Sequence, residues 1–184
     1  MKRNNLLSNK QFGFLQGRST TLQLLTTFED WINLLNKPED KNKIDAIYMD
    51  FQKAFDKVPH QRLLKKMAAY GIDDHTNVWA WVRSFLTGRT QQVQVNGILS
   101  EPAPVTSGIP QGSVLGPSLF VLYINDLPET VENTVYLFAD DTKIFGLANN
   151  TSDTKSIQSD LNKLHDWSQK WLLLFHPLPF SSIG

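Results

Sequence analysis

The sequence predicts an α+β fold in which helices pack on one face of an antiparallel sheet. Predicted strands and helices are interspersed along the 184 residues, and 41% of the residues are hydrophobic, which suits one domain with a core. Two hairpins, at Asn96-Gly97 and at Ala139-Asp140-Asp141, exclude a purely parallel sheet. The order of strand, helices, hairpin, helix and hairpin is close to a split βαβ plan.

The first elements are a loop, a helix and a strand. Residues 1–18 are polar and contain two glycines, which predicts a loop. Ser19 can cap a helix that runs to about Asn36. Pro38 interrupts the charged segment that follows, and the apolar residues 44–51 then predict a buried strand. The apolar residues of the helix recur at three- and four-residue steps and predict one core-facing side: Leu22, Leu25, Phe28, Ile32 and Leu35.

Two helices and a hairpin are predicted next. Pro59 suits the first turn of a helix and Gly71 suits its end, which predicts a helix between these two residues. A second helix is predicted over residues 76–86. Residues 91–95 and 98–100 then flank the Asn96-Gly97 turn. The apolar side chains that predict the helical core faces are Leu63, Leu64, Met67, Val78, Trp81, Val82 and Phe85.

The last elements are two helices and a second hairpin. Residues 119–127 predict a helix closed by Pro128, and residues 135–138 and 142–145 predict two short strands. A final helix covers residues 152–172. Its apolar positions in register are Ile157, Leu161, Leu164 and Trp171.

Composition limits the classes of function. Lys plus Arg and Asp plus Glu both number 18, so the net charge is zero and any nucleic-acid contact has to come from local patches. The absence of cysteine excludes disulfides and thiolate metal sites. The sequence contains no signal peptide and no window near the roughly 20 apolar residues that a membrane helix needs. We expect an intracellular protein, in the cytoplasm or nucleus, without a membrane partner.

The adjacent carboxylates Asp140 and Asp141 occupy a tight turn between apolar strands. Their mutual repulsion costs free energy unless a cation compensates for it, and a hard divalent ion with oxygen ligands would do so. An Asp-Asp pair is also a feature of ordinary solvated turns. The pair alone therefore favours a solvated turn over a metal site.

Asp50 strengthens the metal interpretation. It ends a predicted strand whose Ile44, Ala46 and Tyr48 indicate burial on the same side of the pleat, where a carboxylate needs a partner. If this strand pairs with the second hairpin, three carboxylates converge at one end of the sheet and can hold two metal ions about 3.5–4 Å apart. Asp45 and Asp56 are rival acids, but Asp45 has the opposite strand parity and Asp56 lies beyond the strand.

Several motifs together resemble the reverse transcriptases of retrotransposons that lack long terminal repeats. Residues 50–56 (DFQKAFD) resemble the first palm motif, residues 107–117 (SGIPQGSVLGP) the second, and residues 138–141 (FADD) the third. Residues 11–14 (QFGF) and 17–19 (GRS) are similar to a fingers motif. Further matching positions are Pro59, His60, Gly71, Ile72, Phe85, Leu86 and Arg89.

The resemblance implies two-metal nucleotidyl transfer from a dNTP to a primer 3′ hydroxyl. Asp50, Asp140 and Asp141 would be catalytic and, with Phe51, would hold two Mg²⁺ or Mn²⁺ ions. Phe55 would occupy the steric-gate position that disfavours a ribose 2′ hydroxyl, although core packing also explains an aromatic residue there.

The remaining implied contacts are to the nucleotide and to the nucleic acid. Gln111 and Gly112 would lie near the incoming nucleotide, although residues 107–116 also read as an ordinary loop before a helix. Arg18, Phe138 and Ala139 would lie near an RNA template and DNA primer.

The implied architecture is a partial fingers segment over residues 1–43, a palm over 44–175 and a divergent tail over 176–184. The tail reads HPLPF where the family usually continues with Asn and then Lys, and we expect a truncated copy without a thumb. Such a copy can keep the carboxylates and lack activity. A non-catalytic nucleic-acid-binding remnant and a two-metal nuclease therefore remain alternatives.

Overall fold

The computed structural model of the protein describes residues 6–37 and 41–177. The predicted break at Pro38 and most of the predicted tail lie outside these ranges. The chain divides into two compact units, one formed by segments 1–52 and 124–184 and the other by residues 53–123. We call them the first and the second unit.

Six α-helices and seven strands lie within the described residues. The helices are α1 (Thr20–Leu35), α2 (Ala54–Lys57), α3 (His60–Ala69), α4 (Asn77–Leu86), α5 (Gly116–Ile124) and α6 (Thr151–Trp171). The strands are β1 (Ile44–Met49), β2 (Thr90–Gln91), β3 (Gln94–Val95), β4 (Ile98–Leu99), β5 (Ala103–Pro104), β6 (Thr134–Phe138) and β7 (Asp141–Leu147). A 3-10 helix covers Leu127–Thr130.

The first unit contains a three-stranded antiparallel sheet in the order β1–β7–β6. The register between β1 and β7 runs from Ile44 opposite Leu147 to Met49 opposite Thr142. The expected antiparallel sheet with helices packed against it is therefore confirmed, as is the pairing of the predicted strand 44–51 with the second hairpin. Phe12, Tyr136 and Phe145 form a buried cluster against this sheet.

Helix α1 begins as predicted, because the Ser19 side chain accepts a hydrogen bond from the Leu22 N–H at 3.1 Å. The predicted core-facing side is wrong. All five of its residues are 40–62% exposed: Leu22, Leu25, Phe28, Ile32 and Leu35. The buried positions are instead Gln23 and Thr27.

The rotation of α1 is set by polar and aromatic contacts with the sheet. The Tyr136 hydroxyl donates a hydrogen bond to Asp30 at 2.5 Å, and Trp31 meets Phe145 edge to face at 5.9 Å between ring centroids. Burial and the Asp30 hydrogen bond raise the pKa of Tyr136, so its hydroxyl remains a donor at neutral pH. These contacts turn the more apolar side of α1 away from the sheet, a result that hydrophobic periodicity alone does not predict.

Helix α6 matches its prediction to within one residue at each end. The Asn150 side chain caps it by accepting hydrogen bonds from the Ser152 and Asp153 N–H groups. Ile157 and Leu164 are buried as predicted, and Leu161 and Trp171 are half-buried.

Asp160 of α6 is a fully buried carboxylate that binds the backbone of the two residues directly before β6. Its Oδ2 accepts hydrogen bonds from the Glu132 and Asn133 N–H groups at 3.0 and 2.7 Å, and Lys163 donates to its Oδ1 at 3.0 Å. Burial alone would raise the pKa of Asp160, but these hydrogen bonds outweigh burial and lower the pKa below its ordinary value of 3.8.

The second unit contains α2, α3, α4, most of α5 and two small hairpin ladders. Leu63, Leu64 and Met67 of α3 are buried as predicted. On α4 the prediction is only partly correct, because Val82 is buried whereas Val78 and Trp81 are exposed.

The first hairpin forms as predicted, with β3 paired to β4. Asn96 and Gly97 both have positive φ angles, 50° and 82°, as the favoured two-residue hairpin turns require. A second short ladder joins β2 to β5.

The predicted helix over residues 119–127 lies earlier in the chain than expected. Helix α5 begins at Gly116, where Pro117 is tolerated in the first turn, and ends at Ile124. Asn125 accepts a hydrogen bond from the Ser8 N–H and donates one to Leu6 O, and Pro128 belongs to the separate 3-10 helix.

No helix in the described ranges is long and apolar enough to cross a membrane.

We predict that Asp160→Asn lowers the free energy of unfolding by about 2–4 kcal/mol at pH 7, because an amide nitrogen replaces one acceptor atom and the negative charge is lost. Chemical denaturation would measure the change, with exposed Asp166→Asn on the same helix as the control. The stabilisation by Asp160 is present above pH 3.8 and is lost as the pH falls through the lower folded-state pKa. An unchanged unfolding free energy would contradict this role.

Candidate metal site at the end of the sheet

Asp50, Asp140 and Asp141 lie at the same end of the sheet in the first unit. Asp50 directly follows β1, Asp141 is the first residue of β7, and Asp140 lies in the turn before it. Because Met49 pairs with Thr142, the next step of the antiparallel register places Asp50 opposite Asp141. Two carboxylates on neighbouring strands and a third in the adjoining turn are therefore brought together.

The predicted burial of Asp50 is wrong. Asp50 is exposed, and Tyr48 on the same side of the strand is 52% exposed, because the sheet opens to solvent at this end. The backbone around Asp50 is nevertheless held: the His176 N–H donates to Asp50 O at 2.7 Å, and Phe51 stacks on Phe175 with ring centroids 4.4 Å apart. The site is a solvent-accessible carboxylate cluster on an anchored backbone.

The three carboxylates interact electrostatically. Partial burial raises the pKa of Asp141 above its ordinary value of 3.8, and the negative charges of Asp140 and Asp50 raise it further. Among the described residues, no three His, Asp or Glu side chains are already arranged around one point that could hold a metal ion. Repulsion between like charges favours rotamers that keep such groups apart.

The donor chemistry of this cluster fits a divalent cation. Carboxylate oxygens are the preferred ligands of Mg²⁺ and Mn²⁺, and a cation would remove the repulsion that raises the pKa of Asp141. Phe51 is buried and has no side-chain donor atom, so only its backbone carbonyl oxygen could serve as a ligand.

A cleft of about 380 Å³ lies beside the carboxylates, between the start of α1 and the end of the sheet. Lys143 lines it, largely buried, with its ammonium 5.0 Å from the Tyr48 ring centroid. Burial lowers the pKa of Lys143. The lining residues are Thr20, Gln23, Leu24, Tyr48, Met49, Asp50, Phe138, Asp141, Thr142 and Lys143.

The residues predicted to contact nucleic acid are also in the first unit. Phe138 is half-buried and lines the cleft, whereas Ala139 is buried in the turn with a φ of 54°. Arg18 lies over the Phe12 ring at 4.7 Å and donates a hydrogen bond to Asn9 O at 2.8 Å. Arg18 therefore has a structural role in the N-terminal segment whether or not it also binds a phosphate.

Gln11 is a residue near the site to which the sequence assigned no role. Its side-chain oxygen accepts a hydrogen bond from the Ala139 N–H in the Asp140–Asp141 turn. The fingers-like motif contains Gln11, but no feature of the sequence indicates that residue 11 reaches a turn 128 positions away.

The predicted nucleotide-binding residues Phe55, Gln111 and Gly112 belong to the second unit. Phe55 stacks on the buried Phe120 with ring centroids 4.6 Å apart, so the packing interpretation has structural support. The Gln111 amide donates to Asp56 Oδ1 at 2.9 Å, which gives this rival acid a local partner. Gly112 has a φ of 77°, a conformation that glycine adopts readily.

The loop that carries Gln111 is fixed to the segment that carries Phe55. Ile109 N–H donates to Phe55 O at 2.8 Å, and a Cβ on Gly108 would lie 2.7 Å from Asp56 O. His60 Nε2 and Arg89 Nη2 both lie 2.8 Å from Gly108 O. The loop is therefore held against α2 by backbone contacts and by the side chains of His60 and Arg89.

Comparison with known proteins gives one family and several relatives. The profile of the family described as reverse transcriptase (RNA-dependent DNA polymerase) matches residues 1–177. The RNA-directed DNA polymerase from mobile element jockey of Drosophila melanogaster is 33% identical over 88% of this chain and 18% of its own length. The probable RNA-directed DNA polymerase from transposon BS of the same species is 30% identical over 96% of this chain and 20% of its own length. This chain thus spans about a fifth of these relatives.

Solved structures of telomerases share the fold. Apo telomerase from Candida tropicalis superposes with a TM-score of 0.71 and 13% identity, covering 96% of this chain and 33% of that one. Telomerase from Candida albicans, solved with a TWJ fragment of telomeric RNA, gives 0.69 and 10% identity over 96% of this chain and 32% of that one.

We predict that Asp140→Asn lowers the pKa of Asp141 towards its ordinary value of 3.8, because the substitution removes one of the charges that raise it. NMR titration of the Asp141 side-chain carboxyl carbon would measure this shift without added metal. Asp45→Asn, on the opposite side of β1, is the control and should leave the pKa of Asp141 unchanged. A pKa of Asp141 that does not respond to Asp140→Asn would show that the two carboxylates are not coupled.

Proposed function

Because this chain belongs to the reverse transcriptase (RNA-dependent DNA polymerase) family, we propose that it contributes the metal-binding palm of an RNA-directed DNA polymerase. The resemblance to enzymes of non-LTR retrotransposons is confirmed at the level of the family by the jockey and BS relatives. The observation that carries the proposal is the β1–β7 register, which places Asp50 opposite Asp141 and beside the Asp140 turn. We propose an intracellular location for the protein, in the cytoplasm or nucleus.

The proposed reaction transfers a nucleotide from a dNTP to a primer. The primer 3′ hydroxyl loses its proton to solvent water, and its oxygen attacks the α-phosphorus to form a new phosphodiester bond. The bond from the α-phosphorus to the oxygen that bridges the α- and β-phosphates breaks, which releases pyrophosphate. When bound, two Mg²⁺ or Mn²⁺ ions would acidify the attacking hydroxyl and stabilise charge on the leaving group. Asp50, Asp140 and Asp141 would hold them, with the Phe51 carbonyl oxygen as a further ligand.

The electrostatics of the site support a role in binding cations. Three carboxylates at the end of a largely apolar sheet are destabilising on their own account, and partial burial together with the charges of Asp140 and Asp50 accordingly raises the pKa of Asp141. Natural sequences keep such destabilising groups at functional sites, where the bound ligand compensates for them.

Nucleotide and nucleic-acid contacts are proposed for six residues. Phe55, Gln111 and Gly112 would contact the incoming nucleotide, and the hydrogen bonds that join the Gln111 loop to α2 support a selective role. Arg18, Phe138 and Ala139 would contact the RNA template and DNA primer. The RNA bound to the structurally similar telomerase of Candida albicans supports RNA as one partner.

We predict that Asp50→Asn and Asp140→Asn each reduce primer extension on an RNA template by at least about a hundredfold, since each removes a metal ligand. Extension would be measured with Mg²⁺ and separately with Mn²⁺. Asp45→Asn is the matched control on the same strand and should retain full extension. Activity unchanged by Asp140→Asn would refute the assigned carboxylates, whereas salt-dependent RNA–DNA binding without any extension would favour a non-catalytic remnant.

We predict that Phe55→Val reduces the preference for dNTPs over rNTPs by about 10- to 100-fold, because a smaller side chain leaves room for a 2′ hydroxyl. Single-nucleotide incorporation with each substrate would measure the ratio of kcat/KM values. Phe85→Val removes another half-buried aromatic ring of the second unit and serves as the control. Equal preference in wild type and Phe55→Val would assign Phe55 to packing alone.

A further inference from the structure

The turn that presents Asp140 and Asp141 has an unusual backbone. Ala139 adopts a φ of 54° and is 4% exposed. Residues with a Cβ rarely adopt this left-handed conformation, and they keep it only where surrounding contacts enforce it. The orientation of Asp140 and Asp141 therefore depends on the contacts that stabilise the conformation of Ala139.

The contact that holds Ala139 comes from Gln11. The Gln11 side chain is 1% exposed, and its Oε1 accepts hydrogen bonds from the Ala139 N–H at 2.9 Å and from the Gly13 N–H at 2.7 Å. Both neighbours are donors, so the amide orientation follows from the hydrogen bonds themselves. One side-chain oxygen thus satisfies two buried backbone groups on two distant segments.

The backbone around Gln11 is fitted to the same turn. Phe12 N–H donates to Leu137 O at 2.8 Å, and Leu137 N–H donates to Lys10 O at 2.9 Å. A Cβ on Gly13 would lie 2.3 Å from the Ala139 nitrogen, so only glycine allows this approach. Residues 10–13 form a short parallel addition to β6 and end against the turn.

General packing does not explain a glutamine at this position. Its Nε2 is buried without a hydrogen-bond partner, which costs free energy that an apolar side chain of the same size would avoid. The gain from glutamine lies in the carbonyl oxygen and its two hydrogen bonds, and one of these restrains the residue that precedes the two aspartates.

We propose that Gln11 is a positioning residue that holds the Ala139 turn and so sets the placement of Asp140 and Asp141 for binding divalent cations. The part of the inference that concerns metal binding rests on the proposed function. The part concerning the turn is independent of that function.

The decisive variant is Gln11→Met, which keeps the side-chain volume but removes the acceptor. Amide hydrogen exchange followed by NMR would measure protection of the Ala139 N–H, and titration with Mn²⁺ alone would measure binding to the folded chain. We expect faster exchange at Ala139 and Mn²⁺ binding that is weaker on the order of tenfold. Gln158→Met on α6, at an exposed glutamine, is the control and should change neither measurement.

Gln11→Glu provides the rescue, because burial favours the protonated carboxyl group, which is uncharged and keeps an acceptor oxygen at the same distance from the backbone. We expect protection of the Ala139 N–H to return to nearly the wild-type level in this variant. Rescue separates a hydrogen-bonding role from a general loss of packing, and it keeps the test decisive if Gln11→Met fails to fold.

Four outcomes would overturn the inference or its premise. Unchanged exchange at Ala139 in Gln11→Met, or no rescue of that protection in Gln11→Glu, would overturn the positioning role. Faster exchange with unaltered Mn²⁺ affinity would show that the turn does not govern the metal site. Failure of the wild-type protein to bind Mn²⁺ would instead overturn the proposed function, and the exchange data would still decide whether Gln11 holds the turn.

Discussion

The antiparallel pairing of β1 with β7 is the interaction on which the candidate site depends. Its register fixes Met49 opposite Thr142, and the following residues of the two strands are Asp50 and Asp141. Because side chains alternate along a strand, a shift of one residue would place one of these carboxylates on the opposite face. Each hydrogen bond of this ladder therefore contributes to the spacing of the charged groups at its end.

The site is assembled against an electrostatic cost that the rest of the first unit offsets. Partial burial and the charges of Asp140 and Asp50 raise the pKa of Asp141, and Ala139 adopts a rare backbone conformation beside them. The buried Phe12, Tyr136 and Phe145 cluster supports the sheet from one side. A fold of this kind can hold like charges together because the stabilising contacts lie elsewhere, in the sheet and its apolar cluster.

Two of the wrong predictions, the core-facing side of α1 and the burial of Asp50, have a common physical origin. Hydrophobic periodicity correctly predicted that α1 is a helix, but Asp30 and Trp31, not the leucine-rich side, face the sheet. Strand alternation correctly placed Tyr48 and Asp50 on one side, but that side is open to solvent at the end of the sheet. A periodic pattern specifies which residues share a face, whereas the neighbour that covers the face is a property of the assembled unit.

The sequence by itself determined the element types and the hairpin turns and identified three aspartates as candidate metal ligands, because these depend on local conformational preference and on short motifs. Asn96-Gly97, the Ser19 cap and the Asp140–Asp141 turn all act over a few residues. Only the tertiary structure decided the exposure of Asp50, the rotation of α1 and the contact between Gln11 and Ala139. The last contact joins residues 128 positions apart, and a hydrogen bond over that separation exists only once the strands between them have paired.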